Sequence, residues 1–74
     1  MNRKELEFVF CVEIGRTAFS KGLKCVPAMD KNIMSVISDN RRVLDTREVL
    51  KAWIAGWTKA NLESEQPFNP PNDG

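Results

Sequence analysis

Side chains that could carry catalysis or hold a metal are scarce in this chain. Its 74 residues contain two cysteines, Cys11 and Cys25, and no histidine. Two thiolates cannot complete a zinc site, which usually takes four protein ligands. No cysteine or serine stands near a plausible base, and there is no glycine-rich phosphate loop. We therefore expect a protein without enzymatic activity and without a cofactor or metal.

The two cysteines have apolar neighbours, in the runs Val9-Phe10-Cys11-Val12 and Cys25-Val26-Pro27. Apolar surroundings favour buried thiols, and a cytosolic setting keeps thiols reduced. We expect both cysteines to be buried and reduced. A disulfide between Cys11 and Cys25 is the alternative.

The other chemical feature of the sequence is an excess of positive charge in the middle of the chain. The net charge is only +1, so no overall field draws the protein to nucleic acid or to an anionic membrane. Residues 16 to 59 nevertheless contain nine basic residues and four acidic ones, whereas the segments before and after them carry net charges of −1 and −3. The apolar run at residues 8 to 12 is too short to span a membrane, and no targeting segment is visible. We expect a cytoplasmic protein with no membrane partner.

A first helix is predicted from residue 3 to about residue 21. Its apolar residues recur at spacings of three and four, the period of an amphipathic helix, and they include Leu6, Phe10, Ile14 and Ala18. Gly22 suits the position just past a helix end, where a left-handed backbone is needed. The β-favouring run at residues 8 to 12 could instead form a buried strand. We prefer the helix because an isolated strand in so short a chain would leave its backbone unpaired.

Two further helices are predicted after a connector in which Pro27 keeps Val26 out of helical geometry. A short helix runs from about residue 29 to residue 38, with an apolar face made of Met29, Ile33, Met34, Val36 and Ile37. A third helix starts after Asp45, because Asp45 and Glu48 approximate a capping box, and it runs to about residue 61. Leu44 and Val49 are placed to form a hydrophobic staple around this start.

Residues 1 to 62 form a single helical domain in this interpretation, and residues 63 to 74 form a disordered, acidic and proline-rich tail. A domain of this size buries only about 60% of the surface that its unfolded chain exposes. Self-association or a bound partner is therefore the expected additional source of stability.

Small residues form a narrow stripe on each of the two long predicted helices. Glycine in a helix interior costs up to about 1 kcal/mol relative to alanine, so Gly15 and Gly56 need a structural reason. The stripes are Gly15, Ala18 and Gly22 in the first helix and Ala52, Gly56 and Ala60 in the third. Two such stripes allow close approach of the backbones, with Trp53 and Trp57 lying over the opposing helix. The alternative is that these small residues face solvent.

The predicted fold is therefore an all-α, three-helix mini-domain. The first and last helices form a helical hairpin that crosses at the two glycines, and the short middle helix covers the open side.

These blocks resemble the ribosome modulation factor family of bacteria. Residues 15 to 22 read GRTAFSKG, a connector contains Cys25 and Pro27, and residues 52 to 60 read AWIAGWTKA. The family pattern is similar, with G-x-x-A-x-x-x-G, a loop with cysteine and proline, and W-x-x-G-W-x-x-A. The two tryptophans around a glycine are the more specific half. The matched blocks cover roughly a third of the chain. A short phage or plasmid protein with the same hairpin and a different partner would have a similar sequence.

The resemblance implies a helical core that docks on ribosomal RNA and ribosomal proteins and dampens translation. Basic residues in or beside the matched blocks would then face phosphates, and a second basic group lies in the inserted region. The first group is Arg16, Lys21, Lys24, Lys51 and Lys59, and the second is Arg41, Arg42 and Arg47.

Two other functions are compatible with the sequence. The first is a protein-interaction module, either a homodimer or an adaptor, that uses apolar surface from Met29, Met34, Phe8 or Phe19. The second is a helix-turn-helix DNA-binding protein, because three short helices are the minimum for that fold. Its recognition helix would be the third one, with only Arg47, Lys51 and Lys59 left to read bases.

Overall fold

The computed structural model describes residues 2–64, and within them every regular element is helical. Helix α1 spans Arg3–Ser20, α2 spans Lys31–Ser38 and α3 spans Thr46–Glu63, with a single 3-10 turn at Pro27–Met29 before α2. No strand occurs among the described residues. The predicted all-α, three-helix class is confirmed. The predicted tail lies outside the described residues from position 65 onwards.

Helices α1 and α3 lie side by side and run in the same direction. Lys4 pairs with Glu48 at 3.9 Å near the start of both helices, and Arg16 pairs with Glu63 at 3.4 Å near their ends. Helix α2 makes this possible because it returns the chain from the end of α1 to its beginning. The two long helices therefore cross as a parallel pair. Two helices that follow each other directly in the chain, as in a simple hairpin, would instead be antiparallel.

The two glycines are the points of closest approach between α1 and α3. A Cβ atom added to Gly15 would collide with the carbonyl oxygen of Trp53 and lie 3.0 Å from the amide nitrogen of Trp57. A Cβ atom added to Gly56 would collide with the carbonyl oxygen of Val12 and lie 3.0 Å from its Cα. Each glycine therefore faces the backbone of the other helix, and the predicted meeting of the two small-residue stripes is confirmed.

The stripes are completed by alanines, of which Ala18 is 1% exposed and Ala52 fully buried. Ala60 is half-buried at the end of α3. Gly22 has a different role, because it follows the helix C-cap with a φ of +83°, as predicted from its position.

Both tryptophans are buried against this crossing, with Trp53 fully inaccessible and Trp57 5% exposed. The Trp57 ring meets the ring of Phe19 edge to face, with centroids 5.3 Å apart. Its indole N–H donates to the carbonyl oxygen of Leu23 at 2.9 Å, which holds the turn after α1 against α3. The alternative in which the small residues face solvent is wrong at the crossing, where the buried ones are Gly15, Ala18, Ala52 and Gly56.

A buried carboxylate completes the core. Asp30 is 4% exposed and its Oδ2 accepts a hydrogen bond from Trp53 Nε1 at 2.8 Å. Its Oδ1 accepts from the amide of Asn32 at 2.9 Å, so the same side chain is the N-cap of α2. One residue therefore fixes where α2 begins and where the Trp53 ring sits.

The predicted boundaries need two small corrections. Helix α2 begins at Lys31 rather than near residue 29, because Pro27 starts a 3-10 turn and Asp30 then caps the helix. Met29 is consequently outside the helix and 61% exposed, and only Ile33 of its predicted apolar face is fully buried. The capping box of Asp45 and Glu48 is confirmed, and α3 continues to Glu63.

The predicted apolar face of α1 is wrong in its first half. Leu6 and Phe10 are 55% and 57% exposed, whereas the buried residues of this helix are Cys11, Gly15 and Ala18. Apolar residues occupy more than one side of α1, so periodicity alone does not choose between the sides. Close backbone contact with α3 selects the side whose side chains are smallest.

We predict that replacing Gly56 by alanine destabilises the protein by about 1–3 kcal/mol, because the added methyl group overlaps the Val12 backbone. Helix propensity alone would give a change of the opposite sign, a gain of up to about 1 kcal/mol. The free energy of unfolding, measured in urea by circular dichroism, decides the sign. The exposed neighbour Thr58, changed to alanine, is the control and should lose nothing. A stabilising Gly56→Ala would contradict the close crossing.

We also predict that Asp30→Asn lowers the free energy of unfolding by about 1–3 kcal/mol. The Asp30 carboxylate gives each of two N–H groups its own acceptor oxygen, whereas the asparagine amide has a single oxygen. Asp45→Asn is the matched control. The side-chain contact that Asp45 makes as a cap is with the single amide of Glu48, and asparagine is an equally good N-cap. Equal stability of the two variants in urea unfolding would show that Asp30 does not serve both donors.

Candidate nucleic-acid interface

The eight cations predicted to bind phosphate fall into two groups in the structure. Three of them are engaged with protein groups, and five are exposed without a hydrogen bond or ion pair to residues 2–64. The engaged residues are Arg16, Arg41 and Arg42. The exposed ones are Lys21, Lys24, Arg47, Lys51 and Lys59.

Arg42 is half-buried and holds together the end of α2 and the start of α3. Its Nη1 donates to the carbonyl oxygen of Ile37 at 2.5 Å, a group left free by the end of α2. Its Nη2 donates to the hydroxyl oxygen of Thr46, the first residue of α3, at 2.8 Å. A phosphate at this guanidinium would have to displace bonds that support the fold. The geometry therefore gives Arg42 a structural role.

The loop that carries Arg41 and Arg42 is fastened to the start of α1. The Glu7 carboxylate accepts hydrogen bonds from the amides of Val43, at 2.9 and 3.0 Å, and Leu44, at 2.9 Å. Arg3 donates to the carbonyl oxygen of Arg41 at 3.1 Å. These contacts join residues 36 to 38 positions apart in sequence. Neither Glu7 nor Arg3 is predictable as an anchor from the sequence, because no local pattern marks these residues.

The other two engaged cations remain accessible. Arg41 has a side chain that is 86% exposed, with its Nε 3.1 Å from the Asp39 carboxylate. Hydrogen bonds from the Arg41 side chain and backbone keep the pKa of Asp39 below its usual value. Arg16 is paired with Glu63. Exposed pairs of this kind contribute little to stability, so a phosphate could replace the carboxylate in each.

The five exposed cations lie on α3 and on the turn beside it. Arg47 and Lys51 are one helical turn apart on α3, and Lys59 follows two turns later, about 80° further round the axis. Lys21 and Lys24 flank the turn whose Leu23 carbonyl is bonded to Trp57. The structure thus brings Lys24 next to the half of α3 that carries Lys59. From Arg47 to Lys59 the helix axis extends about 18 Å, enough to follow several phosphates.

The two cysteines differ in their exposure to solvent, whereas the sequence predicted that both are buried. Cys11 is fully buried, and this burial, with a smaller effect from the charge of Glu7, raises the pKa of its thiol to about 11. Cys25 is exposed, so its predicted burial is wrong, although partial desolvation still raises the pKa of its thiol. The two are not joined by a disulfide. Both therefore stay protonated at neutral pH, which does not favour a nucleophilic role.

Within residues 2–64 no three side chains of the metal-binding types come close enough together to hold an ion. The helices of the same segment are all too short or too polar to cross a membrane. No protein-family model, no curated protein and no solved structure matches this chain. The similarity to the ribosome modulation factor family therefore stays a prediction from the motif.

We predict that Arg42→Ala lowers the free energy of unfolding by about 1–3 kcal/mol, because it leaves the Ile37 carbonyl and the Thr46 hydroxyl without their donor. Arg47→Ala, which removes an exposed guanidinium of the same size, should stay within about 0.5 kcal/mol of the parent. Urea unfolding followed by tryptophan fluorescence measures both. Equal stability of the two variants would mean that Arg42 has no structural role and is available to a ligand.

Proposed function

We propose that this protein is a non-enzymatic, cytoplasmic binding protein whose ligand is RNA. The observation that supports the proposal is the set of five exposed cations that make no hydrogen bond or ion pair within residues 2–64. Lysine and arginine side chains with these properties can neutralise phosphates without loss of any internal contact. Two of them, Arg47 and Lys51, lie one turn apart on the exposed side of α3 and form the centre of the proposed interface.

Recognition in this proposal depends on phosphates and shape more than on bases. Tryptophan rings are well suited to stack on unpaired bases, but Trp53 and Trp57 are both buried and hydrogen-bonded inside the protein. Contacts from Lys and Arg to phosphate position a protein on RNA and carry no sequence information. We therefore propose a ligand recognised by its fold, with ribosomal RNA as the candidate that the motif resemblance indicates. Binding there would modulate translation.

The residues that carry the resemblance act in the core. Gly15 and Gly56 allow the crossing, and Trp53 and Trp57 cover it. The motif therefore supports a shared way of packing two helices, and fold alone does not define a ligand. For this reason the proposal of RNA binding depends on the exposed cations and is tested through them.

A protein-interaction module is the second candidate, and specific exposed side chains favour it. Met29, Met34 and Phe8 are 61%, 39% and 38% exposed, which suits an apolar contact with another protein. Phe19, the fourth residue predicted for this role, is half-buried and packs on Trp57, so it is less available.

We predict that the double variant Arg47→Glu with Lys51→Glu weakens RNA binding at least about tenfold at low salt, because each reversal replaces a phosphate contact by repulsion. Fluorescence anisotropy with labelled single-stranded and structured RNA, and co-sedimentation with ribosomes, provide the readouts. For single-stranded RNA, the slope of log affinity against log salt should fall in magnitude by about 1.4, the value for two lost contacts.

The matched control compares two single reversals of equal charge, Lys51→Glu in the proposed interface and Lys31→Glu at an exposed lysine of α2 that makes no hydrogen bond or ion pair with residues 2–64. Lys31→Glu should retain most of the affinity. An equal loss of affinity in both single variants would mean that net charge alone explains the effect. Binding that ignores both salt and these substitutions would refute the RNA proposal.

A further inference from the structure

An exposed stripe on α1 has the residue pattern of a helix-pairing surface. Arg3, Leu6, Phe10 and Glu13 follow one another at spacings of three, four and three residues, the a/d spacing of a coiled coil. At 100° per residue the four positions fall within an arc of about 80°. We call these four residues the outer stripe of α1.

The outer stripe is largely exposed, and its only hydrogen bond to another described element is the one from Arg3 to the Arg41 carbonyl. Leu6 and Phe10 at its centre are 55% and 57% exposed, and Arg3 and Glu13 at its ends are exposed as well. The side of α1 that faces α3 carries Cys11, Gly15 and Ala18, about 130° away round the helix axis. The stripe is thus free to contact a second molecule while the core stays intact.

The charges at the two ends of the stripe are complementary to those of a second, antiparallel copy. Arg3 donates one N–H to the Arg41 carbonyl and keeps its other donors free, and Glu13 makes no ion pair with residues 2–64. An antiparallel second copy of α1 would set Arg3 against Glu13 at both ends. It would also set Leu6 against Phe10 twice in the middle. The stripe is therefore complementary to itself under a twofold rotation.

The same charges disfavour the opposite orientation. Two copies of α1 paired in parallel and in register would place Arg3 against Arg3 and Glu13 against Glu13, and like charges at facing positions are destabilising. In an antiparallel coiled coil, a positions face d positions, as the pairs Arg3 with Glu13 and Leu6 with Phe10 require. Orientation and register are thus both specified by four residues.

We propose that the protein forms a homodimer through antiparallel pairing of the outer stripes of α1. The contact spans about 15 Å of helix, so the interface is small and the dimer exchanges with the monomer. Such a dimer would add some apolar burial to a domain of this small size. Its formation requires no RNA.

The test is sedimentation equilibrium of the full chain, without RNA, from about 1 µM to about 1 mM. We expect a monomer–dimer equilibrium in the parent protein. Leu6→Glu should weaken the dimer at least about tenfold, because it places an unpaired charge against Phe10 of the second copy. Leu62→Glu on α3, where the side chain is 76% exposed and outside the outer stripe, is the control and should leave the equilibrium unchanged.

Charge exchange tests the antiparallel register separately. Glu13→Arg alone should weaken the dimer, and the double variant Arg3→Glu with Glu13→Arg should restore it, because the exchanged pairs are again opposite in sign. Arg3→Gln, compared with the parent in the same measurement, gives separately the effect of losing the hydrogen bond from Arg3 to the Arg41 carbonyl. Circular dichroism confirms that each variant keeps its helices. A parent protein that stays monomeric throughout, or a dimer indifferent to Leu6→Glu, would overturn the proposal. A double variant as weak as the single one would overturn the antiparallel register.

Discussion

The contact on which this small structure depends is that of one helix backbone against another. At the crossing of α1 and α3, Gly15 lies on the carbonyl group of Trp53 and Gly56 lies on the carbonyl group of Val12. Any side chain at either position would separate the helices. The approach is close enough for weak Cα–H···O bonds, worth about 0.5–1 kcal/mol each. It also lets the large ring of Trp53, beside Gly56, be completely buried in a domain with few core residues.

Polar side chains around this crossing serve mainly to fix the connections. Asp30 joins the start of α2 to Trp53, and Glu7 holds the backbone of the loop before α3. Arg42 joins the end of α2 to the start of α3. Charged groups that are needed for such contacts are less available for a ligand. The distinction between engaged and free cations is therefore more informative about function than the number of basic residues in the middle of the chain.

The two proposed surfaces occupy different helices and are physically different. The exposed cations of α3 and the adjoining turn attract phosphate through charge, and this attraction is screened by salt. The outer stripe of α1 combines two apolar side chains with two opposite charges and so favours a second copy of itself. Both leave the crossing of α1 and α3 untouched. The core can therefore remain constant while either surface changes its partner.

The sequence by itself determined the features whose signals are local. The capping box at Asp45 and the glycine and alanine stripes could be predicted because their residues lie within a few positions of one another. Tertiary structure decided which side of α1 is buried. Apolar residues occur on more than one side of this helix, and contact with α3 buries the side whose side chains are smallest. It also decided the roles of Glu7 and Arg42 and the exposure of Cys25. These depend on which elements the fold brings together, and the Glu7 bonds join groups more than 30 residues apart.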